Sequence, residues 1–304
     1  MPSAFVFTGQ GSQFSGMGRD LAEGNSAARD VFEAADAALG EPISRLCFEG
    51  TEEQLALTTN TQPATLVVSM AAFRAAGHVP DLAAGHSLGE YTALAAAGAF
   101  QFADVVRLVR RRAQLMQDAV PVGTGGMVVL RKLSLDEAQE VVDGIDAGVC
   151  EIANLNAPGQ IVLSGETAAM EQVVDRLGRN AKKLTVSVPF HCSLLRDAAV
   201  QFGEVLDSVE MRDPAFPIYC NVDAAPVTTA DSARDALKRQ FAGSVLWQNS
   251  VERMIQDEGV RRFVEFGPKP TLSRMVAKIA SGIGVDGIEA STVATVEDLN
   301  ALRL

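Results

Sequence analysis

The chain alternates short apolar runs with longer stretches in which apolar residues recur every three or four positions. Short apolar runs are typical of buried strands, and the longer periodic stretches are typical of amphipathic helices. The pattern predicts strands over residues 4–8, 80–84 and 217–221. Residues 262–266 are a further segment, which we assign to the same domain as these strands. Helices are predicted over residues 30–39, 62–76, 90–97, 104–120 and 194–209. Strands and helices that alternate in this way indicate an α/β domain.

The middle of the chain has a different rhythm. Strands are predicted over residues 127–130, 148–153, 160–164 and 183–188, and helices over residues 135–142 and 168–177. The second and third strands are joined by a predicted loop that contains Asn156, Pro158 and Gly159. The order βαββαβ is that of a ferredoxin-like unit. We therefore predict a small ferredoxin-like subdomain over residues 123–192, inserted into a large α/β domain formed by residues 1–122 and 193–304.

Composition narrows the range of functions. The chain has 304 residues, 47% of them hydrophobic, which is enough for a substantial core. A formal net charge of −12 argues against nucleic acid and anionic membranes as partners, although a local basic patch could still bind an acidic protein. We expect no signal peptide, because residues 1–7 have no basic segment and lead directly into a predicted strand. We expect no membrane span, because apolar stretches such as residues 94–100 are too short. Four scattered cysteines favour a reducing, cytoplasmic location.

Residues 85–89 read Gly-His-Ser-Leu-Gly, a G-x-S-x-G pentapeptide. The pentapeptide alone is a weak signal, but here a predicted strand precedes it and a predicted helix follows it. A sharp turn in this context exposes the Ser87 hydroxyl and directs the N–H groups of the helix N-terminus towards the same place. Ser87 is therefore a candidate nucleophile. The alternative is a glycine-rich turn whose serine caps a helix.

A serine nucleophile needs a base, and histidine is the usual one. The chain has three histidines: His78, His86 and His191. His78 lies in a loop before the strand, and His86 is adjacent to Ser87 on the turn, where neighbouring side chains diverge. His191 lies at the end of the last predicted strand of the subdomain. By elimination His191 is the candidate base, and the alternative is a structural histidine at the subdomain joint.

Arg112 belongs to a run of three arginines on the helix predicted over residues 104–120. Residues three and four positions away share its face of the helix, and all are apolar: Leu108, Val109, Leu115 and Met116. Arg112 is therefore expected to point inward, where a guanidinium needs an anion. That anion is either a structural carboxylate such as Glu90 or Asp197, or a carboxylate on the substrate.

Several segments carry a resemblance that extends through nearly the whole chain. They are residues 9–13 (Gly-Gln-Gly-Ser-Gln), residues 85–90, Arg112, residues 154–160, residues 188–191, residues 245–247 and residues 265–268. In this order they resemble the malonyl-CoA:acyl carrier protein transacylase family, which includes the acyltransferase domains of fatty acid and polyketide synthases. The resemblance implies a hydrolase-like α/β large domain that carries a ferredoxin-like subdomain.

The resemblance also implies a role for each matching residue. Ser87 would be the nucleophile and His191 the general acid and base. The backbone N–H groups of Gln10 and Leu88 would form the oxyanion hole, which acyl transfer requires. Arg112 would bind the free carboxylate of a malonyl group.

Two positions differ from some relatives. Leu246 stands where some relatives have glutamine, whose backbone carbonyl orients the histidine; we expect the Leu246 carbonyl to do the same for His191. Phe190 stands where some relatives have serine, and its ring should crowd an α-methyl group. The chain is therefore expected to select malonyl over methylmalonyl units.

The implied activity is malonyl-CoA:acyl carrier protein S-malonyltransferase, which works by ping-pong transfer through a malonyl-serine ester in fatty acid or polyketide synthesis. No cofactor and no metal are implied, since coenzyme A and the carrier's phosphopantetheine are substrates. We expect a monomer and an acidic carrier protein as partner. Candidate cations for docking the carrier are Arg179, Lys182, Lys183, Arg261, Arg262, Arg274 and Lys278.

Two other functions share some of these features. A serine hydrolase or thioesterase has the same turn around its serine, but its histidine usually comes late in the chain, and an inward arginine is not part of that plan. More than a hundred residues follow His191. A catalytically silent module that binds coenzyme A or a carrier protein is the second alternative, and intact Ser87, His191 and Arg112 argue against it.

Overall fold

The computed structural model describes residues 1–121, 123–186 and 188–303, and the strands of these segments form two sheets. The strands are β1 (Ser3–Phe7), β2 (Leu82–Gly85), β3 (Gly125–Arg131), β4 (Cys150–Ala157), β5 (Gln160–Glu166), β6 (Ala181–Lys183), β7 (Ile218–Tyr219), β8 (Pro226–Val227), β9 (Arg262–Phe266) and β10 (Glu289–Val293). The first seven helices are α1 (Arg19–Gly24), α2 (Ser26–Leu39), α3 (Ile43–Glu49), α4 (Glu52–Ala56), α5 (Thr58–Ala76), α6 (Leu88–Ala96) and α7 (Phe102–Asp118). The others are α8 (Leu135–Asp143), α9 (Thr167–Leu177), α10 (Arg196–Asp207), α11 (Ala230–Gln240), α12 (Trp247–Gln256), α13 (Leu272–Gly282) and α14 (Val296–Ala301).

The larger sheet has the strand order β10-β9-β1-β2-β7-β8, and all its pairs are parallel except β7 with β8. Strands β1 and β2 lie at its centre and are buried along almost their whole length, as expected for a parallel sheet covered on both faces. Phe5 of β1 packs edge to face on Phe266 of β9, with ring centroids 4.9 Å apart. Phe7 is in register with Gly85. The carboxyl ends of β1 and β2 therefore lie side by side.

The smaller sheet is antiparallel and has the strand order β4-β5-β3-β6. Helices α8 and α9 connect its strands in the chain order β3–α8–β4–β5–α9–β6. Its apolar face has a core of its own, in which Val128 and Leu163 of the strands are fully buried with Val173 of α9. The predicted alternation of strands and helices is present here in the predicted order.

Strand β4 of the smaller sheet is hydrogen-bonded to two loop segments of the larger domain, around Ser193 and Val245. The Val245 N–H donates to the Ala153 carbonyl of β4, and the Leu155 N–H donates to the Val245 carbonyl. The Ser193 N–H donates to a carboxylate oxygen of Glu151, also on β4, at 2.9 Å. These bonds fix the position of the smaller sheet relative to the chain around His191.

The structure corrects two details of the predicted elements. Asn156 lies within β4 and not in a loop, because the hairpin turns more tightly, at Pro158 and Gly159. The strand predicted over residues 183–188 ends at Lys183, the last residue that pairs with β3; residue 187 lies outside the described residues. No helix in the described part of the chain is long and apolar enough to cross a bilayer.

Candidate active site

Ser87 lies in the sharp turn between β2 and α6, with φ 51° and ψ −104°. A side chain at Gly85 would bring its Cβ within 1.9 Å of the Gly89 backbone, and a Cβ at Gly89 would lie 2.0 Å from the Phe7 carbonyl oxygen. Both glycines are therefore required by close backbone approach. The turn keeps the serine in a strained conformation of the kind that is concentrated at active sites.

The structure brings Ser87 and His191 together. The Ser87 Oγ lies 2.7 Å from His191 Nε2, although the two residues are 104 positions apart in sequence. His191 Nδ1 lies 3.1 Å from the Gln240 carbonyl oxygen and 3.0 Å from that of Gly243. Carbonyl oxygens only accept hydrogen bonds, so Nδ1 carries the proton and Nε2 is left to accept the proton of the serine hydroxyl.

His191 is neutral at physiological pH. Burial, the positive charge of Arg112 and the nearby His86 together lower the pKa of His191 to about 3. The two carbonyl acceptors at Nδ1 raise the pKa only in part. A neutral imidazole that accepts from a serine hydroxyl is the arrangement that general-base activation of a nucleophile requires.

The prediction that Leu246 supplies the carbonyl that orients His191 is wrong. Leu246 is the N-cap residue of α12, and its carbonyl oxygen accepts from the backbone N–H and the side-chain hydroxyl of Ser250. Its carbonyl is therefore used by the first turn of the helix. The acceptors of His191 come instead from Gln240 and Gly243, a few residues earlier in the chain.

Arg112 is buried, with only 1% of its surface exposed, and points inward as predicted. Its Nη1 donates to Gln62 Oε1 at 2.7 Å, and its Nη2 donates to Gln240 Oε1 at 3.0 Å and to Ser87 Oγ at 3.2 Å. The guanidinium also lies over the Tyr91 ring, 5.0 Å from the centroid.

Neither structural carboxylate considered for Arg112 pairs with it. Asp197 is exposed on α10, and Glu90 is hydrogen-bonded to other groups. Among the described residues, no ion pair involves Arg112. Burial lowers the pKa of Arg112, but a guanidinium remains protonated at neutral pH. A positive charge therefore lies beside Ser87, and the oxygens that accept its hydrogen bonds are all neutral.

Sequence reasoning missed Asn221 and Gln240, two buried amides that hold the turn in place. Asn221 Oδ1 accepts from the Ser87 N–H at 2.7 Å, and its Nδ2 donates to the Gly85 carbonyl at 2.7 Å. Gln240 Nε2 donates to the Ser87 carbonyl at 2.8 Å. Asn221 lies two residues after β7 and ends an apolar run, which is a weak signal in the sequence. Gln240 is the last residue of α11 and follows Lys238 and Arg239, so its sequence neighbours give no sign that it is buried.

A cavity of about 320 Å³ opens in front of Ser87. It is lined by residues of the smaller sheet, of the loop after β1 and of the turn that holds Ser87, among them Gln10, Leu88, Arg112, Asn154, Phe190 and His191. Leu88 is the first residue of α6, so its N–H has no acceptor within the helix. Gln10 follows β1 and borders the same cavity, and the Phe190 side chain forms part of its wall.

His86 points away from the nucleophile. Its Nε2 lies 2.7 Å from Asn156 Oδ1 of β4, and its ring packs near Trp247. The described residues hold no cluster of His, Cys, Asp and Glu side chains suited to a metal ion. The groups that border the cavity next to Ser87 include the neutral His191, the buried Arg112 and the N-terminal end of α6.

Comparisons with known proteins show the family to which the chain belongs. The family model of the acyl transferase domain matches residues 4–296. The malonyl CoA-acyl carrier protein transacylase of Bacillus subtilis is 41% identical over 285 residues, which cover 91% of this chain and 90% of that protein.

Solved structures show the same likeness. The acyl-carrier-protein-S-malonyltransferase of Bartonella henselae has a TM-score of 0.94 and 40% identity, over 99% of this chain and 98% of that one. A malonyl-transacylase solved in complex with a type II polyketide synthase acyl-carrier protein has a TM-score of 0.93 and 37% identity, over 99% and 98% of the two chains. The chain therefore belongs to the acyl transferase domain family and, as the sequence motifs indicated, to its malonyl CoA-acyl carrier protein transacylases.

Proposed function

We propose that this protein transfers a malonyl group from coenzyme A to the phosphopantetheine thiol of an acyl carrier protein, through an ester on Ser87. The observation that carries the proposal is the buried guanidinium of Arg112, which lies 3.2 Å from Ser87 Oγ and donates no hydrogen bond to a carboxylate of the described residues. Such a group can bind the free carboxylate of a malonyl unit attached to Ser87 with two parallel hydrogen bonds. The named activity of the family members described above supports the same substrate.

In the acylation step, His191 Nε2 takes the proton of the Ser87 hydroxyl as its oxygen attacks the thioester carbon of malonyl-CoA. The N–H groups of Gln10 and Leu88 would bind the oxyanion that forms. When the oxyanion collapses, the carbon–sulfur bond breaks and the coenzyme A thiolate takes the proton back from His191. Malonyl-Ser87 remains.

The second step reverses the first with a new thiol. His191 takes the proton of the carrier's thiol, whose sulfur attacks the ester carbon of malonyl-Ser87. Collapse breaks the ester bond, and the Ser87 oxygen recovers the proton from the imidazolium. The two half-reactions use the same groups, so the kinetics are expected to be ping-pong and to need no cofactor.

Phe190 is proposed to select the acyl group. Its ring is buried to 92% and borders the cavity next to His191, where the α-carbon of a bound acyl unit would lie. An α-methyl group there would overlap a ring that has little room to move. Malonyl should therefore be preferred to methylmalonyl.

The acidic carrier is proposed to dock beside the active-site cavity. A neighbouring cavity of about 470 Å³ shares Asn156 and Leu184 with it and is bordered by Arg131, Lys132 and Lys278. Of the seven cations predicted for docking, Lys183 pairs with Glu171 and Arg262 pairs with Glu289. Lys278 is the predicted cation that borders this cavity, so it is our first candidate for contact with the carrier.

The finer fold assignment belongs to the same proposal. We assign residues 1–122 and 193–304 to a hydrolase-like α/β domain and residues 123–192 to a ferredoxin-like subdomain. The largely parallel six-stranded sheet and the antiparallel order β4-β5-β3-β6 support this division. The four unpaired cysteines are typical of a reducing compartment and support the cytoplasm. The monomeric state remains a prediction.

Intact-mass measurement tests the function directly. The purified protein is incubated separately with malonyl-, methylmalonyl- and acetyl-CoA, with Ser87→Ala as the control. We expect one malonyl adduct, absent from the variant, and its loss when an acyl carrier protein is added. Free malonate without an adduct would indicate a thioesterase, and no reaction with any thioester would indicate a binding module.

A further inference from the structure

Glu90 is a buried carboxyl group for which the mechanism above has no use. It lies in the first turn of α6, three residues after Ser87, and its surface is 0% exposed. Its Oε2 accepts from the Asn221 backbone N–H at 2.9 Å and from Gln240 Nε2 at 3.0 Å. Among the described residues its Oε1 has no hydrogen-bond partner. Since burying a carboxyl group is costly, its presence needs an explanation.

The contacts of the Gln240 amide provide one. The amide nitrogen faces two groups that only accept, the Ser87 carbonyl and the Glu90 carboxylate. The amide oxygen faces Arg112, which only donates. If the amide were rotated by 180°, its oxygen would face the Glu90 carboxylate and its NH₂ group would face the guanidinium. Glu90 therefore adds to the Ser87 carbonyl and to Arg112 in making the rotated orientation of the amide unfavourable.

We propose that Glu90 is a positioning residue for malonyl transfer: its Oε2 orients the Gln240 side chain, and the Gln240 oxygen thereby holds the Arg112 guanidinium beside Ser87. This inference rests on the proposed function, because it assigns to Arg112 the carboxylate of the acyl group. Glu90 has no hydrogen bond to the nucleophile's hydroxyl, and its positioning role acts through Gln240.

The charge of Glu90 has a separate effect. The charged and titratable groups around it are Arg112 of α7, Asp223 and Cys220 near the end of β7, and its neighbour Tyr91. Burial raises the pKa of Glu90 to about 7, against the lowering effect of its hydrogen bonds and of Arg112. A proton on Oε1 leaves Oε2 free to accept, so the orientation of Gln240 does not depend on ionisation. Ionised Glu90, however, offsets part of the positive potential of Arg112 and so weakens its attraction for a malonyl carboxylate.

Two variants separate these effects. Glu90→Gln keeps an oxygen acceptor for Gln240 and removes the charge, whereas Glu90→Leu removes both. Single-turnover acylation by malonyl-CoA and by acetyl-CoA is measured between pH 6 and 8.5. The control is Thr92→Val, which removes a buried hydroxyl of the same helix that has no partner among the described residues.

Glu90→Leu should lower kcat/KM for malonyl-CoA by about 10- to 100-fold and change that for acetyl-CoA by less than about threefold. In the unmutated protein the KM for malonyl-CoA should rise with pH through about 7, and in Glu90→Gln this rise should disappear. Thr92→Val should behave as the unmutated protein does.

Equal losses towards both thioesters in a folded Glu90→Leu variant would reduce Glu90 to a structural role and overturn the proposal. If Glu90→Leu does not fold, Glu90→Ala, which also removes the acceptor for Gln240, takes its place, and equal losses towards both thioesters again overturn the proposal. An unchanged pH dependence of KM in Glu90→Gln would overturn the separate effect of the Glu90 charge on Arg112. The two failures can be distinguished, because absence of malonyl-Ser87 in the unmutated protein would instead overturn the proposed function.

Discussion

At the scale of single residues, His191 and Arg112 are held by neutral hydrogen-bond partners, in positions where a carboxylate is common. His191 is oriented by two backbone carbonyls and Arg112 by two glutamine oxygens and the serine hydroxyl. A carbonyl orients an imidazole but stabilises its protonated form less than a carboxylate does. His191 therefore stays neutral over a wide pH range, and Arg112 retains its charge for a ligand.

The pH dependence of acylation tests the state of His191. Its pKa is lowered from about 6.5 to about 3, so the fraction of neutral imidazole changes little between pH 8 and pH 5. At saturating malonyl-CoA, the single-turnover acylation rate should stay within about twofold over that range. The rate is measured by quenched-flow intact mass. A loss of rate centred near pH 6.5 would contradict the lowered pKa.

The lowered pKa of His191 also makes the free energy of unfolding depend on pH. The folded-state pKa lies below the unfolded-state value, so the unfolded chain binds the proton first as the pH falls. The contribution of His191 to the free energy of unfolding is therefore fully present above about pH 6.5 and decreases towards pH 3.

Replacing Arg112 by alanine should change which acyl group reacts. We expect acylation by malonyl-CoA to fall by about 30- to 1,000-fold, because a charge-assisted bidentate contact in a buried site is lost. Acylation by acetyl-CoA should rise relative to it. Intact mass after incubation with each thioester gives both rates, and Arg111→Ala, an exposed neighbour on α7, is the control. Retained malonyl transfer without a gain towards acetyl-CoA would rule out the carboxylate role.

The sequence predicted that Arg112 points inward, because its neighbours on the same face of α7 are apolar. It predicted that Ser87 pairs with His191, because the chain has only three histidines and the other two are badly placed. It could not predict Gln62 and Gln240 as partners of Arg112, because they are 50 and 128 residues away and no periodicity links them. The error at Leu246 has a similar cause: every residue has a carbonyl, so a backbone acceptor has no signature in the side chains.

At the scale of elements, the turn between β2 and α6 depends on how closely three backbone segments approach. Gly89 lies against the end of β1, and Gly9 lies against the His86 carbonyl. The predicted strand, turn and helix were correct here because glycine and apolar patterning report local geometry. The early end of β6 was not predicted, because pairing with β3 and not local propensity decides where that strand stops.

Gly89→Ala should destabilise the protein by about 3 kcal/mol or more, since its Cβ would meet the Phe7 carbonyl oxygen at 2.0 Å. The acylation rate should fall with the displaced turn. Urea unfolding gives the free energy of unfolding. The matched control is Gly203→Ala in α10, where the nearest atom lies at 3.8 Å and alanine should be neutral or slightly stabilising. Equal effects of the two changes would contradict the close-packing argument.

At the scale of the whole molecule, charge is unevenly distributed. The chain carries a net charge of −12, yet Arg131, Lys132 and Lys278 border the cavity next to the active site. An acidic carrier would be repelled by most of the surface and attracted to this part of it. Such local attraction acts mainly on the rate of association and is screened by salt.

Lys278→Glu should therefore lower kcat/KM for the carrier by about 5- to 10-fold at low salt and less at high salt, since each such contact contributes about 1 kcal/mol. Single-turnover acylation at saturating malonyl-CoA should be unchanged. Arg74→Glu is the control for net charge: it lies near the end of α5, which leads into the amino end of β2, whereas Ser87 follows the carboxyl end of that strand. Equal effects of both substitutions would contradict a role of Lys278 in docking the carrier.

The distances in sequence between the paired groups also bear on synthesis at the ribosome. Ser87 leaves the ribosome 104 residues before His191 and 153 residues before Gln240, and Val245, to which β4 is bonded, comes later still. A nascent chain that has its turn but lacks these later residues has a serine without a base. If the proposed mechanism holds, we expect such an incomplete chain to form no malonyl ester and to consume no malonyl-CoA.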